Sequence, residues 1–296
     1  MTEQTINWQA WGLAIRPRTL PAAAAGVVMG SALAWRDGFF RVDAALACLF
    51  AALLLQIGSN LANDVFDFER GTDTPERLGP TRVTQAGLLS PSQVKIGMAV
   101  VFALAALLGL YLAWLGGWPI ILIGIAAIIS AVAYTGGPFP LGYYGLGDIF
   151  VFIFFGLASV AGTYYVQAGA VSSAAWWMSM PMGLIITAIL VVNNLRDLEN
   201  DRKAGKHTLA VMLGARGARI EYVLCVVSAY FVVPVLILTN IIPVFSLLTW
   251  LSVPLAWKTL RVAFTQEGRP LNAALSGTGQ IAFVYSVLFW IGVALA

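Results

Sequence analysis

Residues 59–73 read SNLANDVFDFERGTD, and they end a long apolar run with four acidic side chains and one basic side chain, Arg70. Only 10% of the 296 residues are charged, whereas 59% are hydrophobic, and the mean hydropathy is +0.83. This composition indicates a membrane protein with several spans, because soluble domains rarely carry so much apolar sequence. The acidic cluster therefore lies at the end of a predicted membrane span.

Apolar runs recur along the whole chain and predict one all-α membrane domain over residues 1–296. Each run has roughly 16 to 22 residues, enough to cross a hydrocarbon core of about 30 Å. The seventh and eighth runs are separated only by TNIIP, so eight spans stay open as the alternative to nine. The nine predicted spans cover about residues 20–35, 44–61, 94–114, 119–134, 149–166, 174–192, 220–238, 241–257 and 274–295.

Basic residues concentrate on one side of this topology. With the N-terminus inside, all of the 17 Lys and Arg residues except Arg36 and Arg41 fall in inside segments. The positive-inside rule therefore predicts a cytoplasmic N-terminus and a C-terminus on the opposite side. We expect a multi-pass protein of the cell inner membrane, with its chemistry in the inside loops at 62–93, 134–148 and 193–219.

The motif NDVFD at 63–67 has a second version, NNLRD at 193–197, which continues to Asp201. Both motifs follow a span that runs toward the inside, and they start 130 residues apart. This arrangement predicts a pseudo-repeat of two four-helix halves, followed by a ninth helix.

Helical spacing groups the acids of each motif. Asp64 and Asp67 are three residues apart, and Asp197 and Asp201 are four apart, so each pair shares a helical face with Cβ atoms about 5–6 Å apart. Two carboxylates this close to each other repel, and near a membrane they also lose hydration, so a cation is needed to compensate their charge. Carboxylate and amide oxygens, without a His or Cys cluster, favour Mg²⁺ over zinc. These four aspartates are the predicted catalytic residues and metal ligands.

Basic residues follow both acidic clusters, and they suit phosphate oxygens. They are Arg70, Arg77, Arg82, Arg202, Lys203 and Lys206. A single mixed cluster would be an ordinary solvated helix end. Two matched clusters at one face of an apolar bundle instead predict a metal-bound diphosphate that carries a lipid tail.

The chain resembles the UbiA-type intramembrane aromatic prenyltransferases, most closely their menaquinone-pathway branch. The resemblance rests on RPRTLPAA at 16–23, SNLANDVFDFERGTD at 59–73, YTGGPFPLGYYGLGD at 134–148 and VNNLRDLENDRKAGKHTLAVMLG at 192–214. It implies a nine-span helical fold whose acidic motifs face a central cavity under cytoplasmic loops. It also implies transfer of a polyprenyl group from its diphosphate to 1,4-dihydroxy-2-naphthoate, with loss of CO₂ and with two Mg²⁺ ions.

The resemblance also adds site residues, among them Asp73 as a fifth metal ligand. Many relatives have a Lys or Arg in the loop that here reads GGPFPLGYY, so Arg82 or Lys206 is expected to take that role. Tyr134, Tyr143 and Asp148 are candidates for contacting the acceptor, and interfacial tyrosines and a helix N-cap are the structural alternatives. The predicted diphosphate-binding residues are Asn60, Asn63, Arg70, Arg82, Asn193, Arg202 and Lys206.

Two other functions stay open. The same fold could use 4-hydroxybenzoate, homogentisate or haem as the acceptor. A secondary transporter is a more remote alternative, because its sites usually lie near the bilayer midplane, whereas these acids cluster at one face. The expected partners are a polyprenyl diphosphate, the naphthoate and the lipid bilayer, with no nucleic acid.

Overall fold

The structure is a computed structural model that describes residues 7–72 and 77–296. This part of the chain is helical and contains no β-strand. Short 3₁₀ segments lie at Pro17–Thr19, Leu141–Tyr143 and Val244–Ser252. The helices of the described part are α1 (Trp8–Ile15), α2 (Leu20–Arg36), α3 (Val42–Glu69), α4 (Pro91–Gly116), α5 (Trp118–Ala133), α6 (Gly147–Ala168), α7 (Ser173–Lys203), α8 (Leu209–Leu238), α9 (Val253–Thr265) and α10 (Leu271–Ala294).

Six of these helices, α3, α4, α6, α7, α8 and α10, are long and apolar enough to cross a membrane. The helices α2 and α5 are shorter, with 17 and 16 residues. The eighth predicted run is divided between the 3₁₀ segment at Val244–Ser252 and α9. The chain is therefore a multi-pass membrane protein. The count of nine spans and the pseudo-repeat both stay predictions.

Side-chain N-caps lie at the starts of three helices, α4, α7 and α8, near the acidic motifs. Ser90 and Gln93 form a reciprocal capping box at the start of α4. Ser172 begins α7 by accepting from the Ala175 N–H, and Thr208 begins α8 by accepting from the Val211 N–H. Each cap satisfies backbone donors that would otherwise lack a partner at a helix start. The loop from α7 to α8 has only five residues, 204–208.

Glycines let α2, α6 and α7 approach closely. A Cβ atom added at Gly30 of α2 would clash with the Val160 carbonyl oxygen of α6. One added at Gly156 of α6 would lie 2.7 Å from the Cα atom of Gly183 in α7. Small residues allow such backbone contact between membrane helices, where packing replaces the hydrophobic effect as the source of association.

The middle of α6, Phe152–Ala161, is a π-helix, a rare form that often occurs at functional sites.

The helix α7 is the centre of the bundle, since 67% of its apolar stretch is buried. It packs against α6, α8 and α10. Its buried side chains, including Met178, Met182 and Ile185, belong to the largest hydrophobic cluster. The last turns of α7, which carry the second acidic motif, are consequently held at a defined place in the fold.

Candidate active site

A cavity of about 420 Å³ extends between α2, α3, α5, α6 and α7. Acidic, amide and basic side chains line the end formed by the last turns of α3 and α7. Apolar side chains line the remainder, among them Val27, Ala51, Leu112, Phe154 and Val166. The cavity thus joins a charged end to an apolar chamber.

The charged end contains one acidic set from each of two helices. Asn63 and Asp67 of α3 line the cavity, as do Asn193, Asp197 and Asp201 of α7. Successive members of both sets are four residues apart, the spacing that keeps side chains on one face of an α-helix. The fold therefore brings together Asp67, Asp197 and Asp201 of the four predicted catalytic aspartates.

Asp67 is the most heavily paired of these acids. Its Oδ2 atom accepts from Arg82 Nη2 at 2.9 Å, and its Oδ1 atom accepts from Tyr143 Oη at 2.7 Å and Lys206 Nζ at 3.2 Å. Lys206 Nζ also lies 3.9 Å from Asp201 Oδ1 and 4.5 Å from the centre of the Tyr143 ring. Arg82 and Lys206, the two predicted substitutes for the missing loop base, thus meet at one buried carboxylate.

Asp197 is held by its neighbour in sequence. The guanidinium of Arg196 donates from Nε to Asp197 Oδ1 at 2.9 Å and from Nη2 to Asp197 Oδ2. The same group donates to Asn193 Oδ1 at 2.9 Å and to Asn272 Oδ1 of α10 at 2.7 Å. Because Arg196 is buried, it links the second motif to α10 and fixes the Asp197 carboxylate.

Asp64 has a different environment from the one that we predicted. Its carboxylate accepts the backbone N–H of Val83 at 3.0 Å and of Thr84 at 2.9 Å, and it is 1% exposed. Asp64 is not among the described residues that line the cavity. Although it lies near Asp67 on α3, its hydrogen bonds are to the loop that precedes α4, which it holds in place. The structure therefore supports a loop-anchoring role for Asp64, and its predicted catalytic and metal-binding role stays a prediction.

Two predicted diphosphate-binding bases also point elsewhere. The Arg70 guanidinium donates to the Thr135 and Gly137 carbonyl oxygens and lies over the Tyr143 ring. The Arg202 side chain is exposed and pairs with Glu199 at 2.8 Å. Neither belongs to the described lining of the cavity. Arg70 instead braces the loop after α5, and Arg202 pairs at the surface.

The acceptor candidates lie in two environments. Tyr134 and Tyr143 line the cavity, whereas Asp148 is not part of its described lining. Asp148 lies inside the first turn of α6, and its buried carboxylate oxygens have no hydrogen-bond partner among the described residues. The N-cap interpretation of Asp148 is therefore wrong. Burial raises the pKa of Tyr143 above its ordinary value, so the phenol stays protonated and keeps donating to Asp67.

Asn60 and Asp73 were also predicted to belong to the site. Asn60 lines the cavity, but its amide donates to the Ile15 carbonyl oxygen at 2.9 Å and to Thr19 Oγ1 at 3.0 Å. It thereby ties the N-terminal segment to α3. Asp73 lies outside the described residues.

Sequence reasoning did not name Arg16 and Arg18 as site residues, although both line the cavity. Arg77, which was predicted as one of the bases suited to phosphate oxygens, lines it too. Arg16 and Arg18 served in the sequence analysis only to orient the first span. The signal that pointed to Arg16 and Arg18 was their place in RPRTLPAA, one of the stretches that carry the resemblance.

Comparisons with known proteins identify the family of this chain. Residues 23–287 match the UbiA prenyltransferase family. The chain is 39% identical over 307 residues to an Escherichia coli protein named 1,4-dihydroxy-2-naphthoate octaprenyltransferase, covering 100% of this chain and 99% of that one. A Bacillus subtilis protein of the same name is 32% identical over 296 residues, covering 98% and 93%.

Solved structures share the fold at lower sequence identity. A UbiA homologue from Archaeoglobus fulgidus, bound to DMAPP and Mg²⁺, superposes with a TM-score of 0.68 at 14% identity. The alignment covers 97% of this chain and 99% of that chain. Together, the full-length sequence match and the shared helical architecture show that the chain belongs to the UbiA prenyltransferase family.

Proposed function

We propose that the protein transfers a polyprenyl group from its diphosphate to 1,4-dihydroxy-2-naphthoate, with loss of CO₂, to give the hydroquinone form of a demethylmenaquinone. The observation that carries this proposal is the cavity itself, in which acids and bases from α3, α7 and their loops stand above an apolar chamber. Relatives at 32–39% identity over nearly their whole length, named for this reaction, support the choice of acceptor.

The residues at the charged end fit Mg²⁺. The carboxylates of Asp67, Asp197 and Asp201 and the amides of Asn63 and Asn193 offer only oxygen ligands, which hard divalent cations prefer. The described residues contain no group of three His, Cys, Asp or Glu side chains that could hold a metal alone. This suits Mg²⁺, which usually takes one or two protein carboxylates and completes its shell with substrate phosphates and water.

We propose two Mg²⁺ ions, with Asp67 on one side and Asp197 and Asp201 on the other, and with Asp73 as a further ligand. The related structure with bound DMAPP and Mg²⁺ supports this use of the fold. When bound, the ions would neutralise the charge that grows on the diphosphate as the allylic C–O bond breaks. Arg82 and Lys206, which already meet at Asp67, would donate to the phosphate oxygens.

The apolar chamber would hold the prenyl chain and exclude water from the allylic cation. Phe150, Phe154 and Phe155 of α6 line it, and aromatic faces attract a nearby cation. In the balanced reaction, a C–C bond forms between the prenyl C1 and the ring. The C1–O electron pair leaves with diphosphate, and the ring releases its carboxylate as CO₂. Tyr134 would contact the acceptor, whereas Tyr143 would position Asp67 through its hydrogen bond.

An assay of the purified protein tests this function. It would contain Mg²⁺, a long-chain prenyl diphosphate and carboxyl-labelled 1,4-dihydroxy-2-naphthoate, and it would follow released CO₂ and prenylated product together. We expect both in equal amounts. Product from 4-hydroxybenzoate, homogentisate or haem in place of the naphthoate would keep the reaction class and contradict the acceptor. No product from any of these acceptors would contradict prenyl transfer and favour a transporter.

The environment of Asp64 gives a prediction that separates a loop anchor from a metal ligand. An Asp64→Asn substitution keeps one acceptor oxygen but leaves one of the Val83 and Thr84 N–H groups without a partner. An unsatisfied buried donor costs about 1–3 kcal/mol, so the thermal midpoint in detergent should fall. The Mg²⁺ concentration that gives half-maximal activity should not change. A several-fold increase in that concentration would return Asp64 to the metal ligands.

We also propose the orientation that the basic residues predict, with the N-terminus and the catalytic loops at the cytoplasmic side of the cell inner membrane. The cavity-lining bases Arg77, Arg82 and Lys206 all belong to segments on that predicted side. A soluble diphosphate product would then leave into the cytoplasm.

A further inference from the structure

We propose that Arg18, with Arg16 beside it, forms a subsite for the carboxylate of the aromatic acceptor. This inference rests on the proposed function, because it assigns a place to one group of the proposed acceptor. Both arginines line the cavity, and both come from the N-terminal segment rather than from either acidic motif.

The backbone that carries these arginines is anchored on α3. Asn60 Nδ2 donates to the Ile15 carbonyl oxygen at 2.9 Å and to Thr19 Oγ1 at 3.0 Å, and Gln56 Nε2 donates to Thr19 Oγ1 at 3.3 Å. Thr19 Oγ1 in turn donates to the Arg16 carbonyl oxygen at 3.0 Å. The turn is therefore held at both ends, so the two guanidinium groups start from a defined position.

Arg16 has a φ of 54°, in the left-handed region that residues other than glycine rarely adopt. Side-chain bonds from α3 hold the turn in this conformation, and strained backbone kept in place by its surroundings is common where side chains are aimed at a ligand. The strain alone assigns no ligand. It does explain why the turn directs its side chains to the cavity instead of continuing α1.

The subsite lies deeper than the diphosphate end. Asn60 precedes Asp67 by seven residues on α3, which is about 10 Å along the helix. The Arg16 head group reaches back toward Asp64, with Nη2 at 4.0 Å from Asp64 Oδ2. On the far side, the Arg18 carbonyl oxygen faces Gly279 of α10. A ring held here would lie beside the prenyl C1 when the diphosphate is at Asp67.

The charges of the cavity favour an anion at this position. Arg82 and Lys206 already pair with Asp67. The Arg18 side chain, by contrast, makes no hydrogen bond or ion pair with any residue that the structure describes, although it lines the cavity and is exposed. A guanidinium presents two parallel donors that match a carboxylate. An aromatic acid entering an apolar chamber needs such a partner, because an unpaired buried charge is costly.

The subsite would also distinguish substrate from product. The acceptor is an anion only while it carries its carboxylate, and the reaction releases that group as CO₂. The prenylated hydroquinone is neutral and loses its contact with Arg18 and Arg16. The substrate therefore gains binding energy from its contact with the two arginines, and the product does not. This difference favours release of the product into the membrane.

A binding experiment with two matched probes tests this subsite. Fluorescence titrations without prenyl diphosphate would compare 1-hydroxy-2-naphthoate, which has the carboxylate, with 1-naphthol, which lacks it. For the acid, Arg18→Gln and Arg16→Gln should each raise Kd by about tenfold or more, the effect of losing a charged hydrogen bond. The Kd for 1-naphthol should not change, and Arg18→Lys should give an intermediate Kd for the acid.

Arg202→Gln is the matched control, because Arg202 is exposed and pairs with Glu199; both Kd values should equal those of the wild type. Thermal midpoints in detergent would check that the variants fold. Unchanged acid binding in both variants, or equal weakening of both probes, would overturn the subsite. A higher KM for prenyl diphosphate with unchanged acid binding would assign Arg18 to the diphosphate. If the wild-type protein binds no acid, the proposed acceptor fails as well.

Discussion

Replacing Asp67 with Asn is expected to lower kcat/KM by about a thousandfold. Asp67 is the point at which Arg82, Lys206 and Tyr143 converge, and it is the proposed metal ligand of the first motif. At about 4 Å and an effective dielectric near 20, one contact between unit charges is worth about 4 kcal/mol. A loss of that size in the transition state corresponds to about three powers of ten in rate.

Steady-state kinetics with saturating Mg²⁺ would measure this effect, and Glu69→Gln supplies the control. Glu69 lies two residues further along α3 and pairs at the surface with Lys95, at 2.6 Å. Its substitution removes an equal charge from the same helix end without touching the cavity, so its kcat/KM should stay within about twofold of wild type, as expected of a surface charge. Near-normal activity in Asp67→Asn, with the same result in Glu69→Gln, would contradict a metal-binding role for Asp67.

Removal of Mg²⁺ is the second change with a large expected effect. The acids at the charged end cannot neutralise a diphosphate themselves, since they carry the same sign of charge. Metal ions supply several kcal/mol of charge stabilisation in such reactions, so chelation should lower the rate by at least about a hundredfold. Excess Mg²⁺ should restore it.

The measurement is the rate of prenylated product after treatment with EDTA, and EDTA saturated with Mg²⁺ is the matched control for effects of the chelator itself. The structure also shows how the reaction could proceed without Mg²⁺. Arg82 and Lys206 lie at Asp67 and could release it to bind phosphate oxygens directly. Activity that is indifferent to chelation would mean that these bases neutralise the leaving group alone.

Much of the fold could be read from composition and charge placement. Apolar runs located the helices, because a segment that crosses a bilayer must satisfy its backbone internally and can do so as a helix. The sequence also predicted the second motif, whose Asp197 and Asp201 are four residues apart and both line the cavity. The number of spans was less readable. Runs near the minimum length, such as α2 and α5, do not differ in pattern from buried helices.

The orientation of the first motif could not be predicted from the sequence. Asp64 and Asp67 are three residues apart, and either could have faced the cavity. In a soluble protein, the apolar face of α3 would have indicated the orientation. In a membrane, lipid-facing and core-facing sides are equally apolar, so the pattern does not show which side meets the neighbouring helices. The contacts with Val83 and Thr84 became visible only when the loop was in place.

The sequence by itself determined that this chain is a multi-pass helical protein, that two acidic motifs end two of its helices, and that basic residues stand beside them. These properties are local, because they depend on the length, hydropathy and spacing of neighbouring residues. Only the tertiary structure decided that Asp67 and not Asp64 faces the cavity, that Arg70 and Arg202 lie outside it, and that Arg18 lies within it. Those choices depend on how helices rotate against one another and on where the N-terminal turn docks on α3, and both result from packing between residues far apart in the chain.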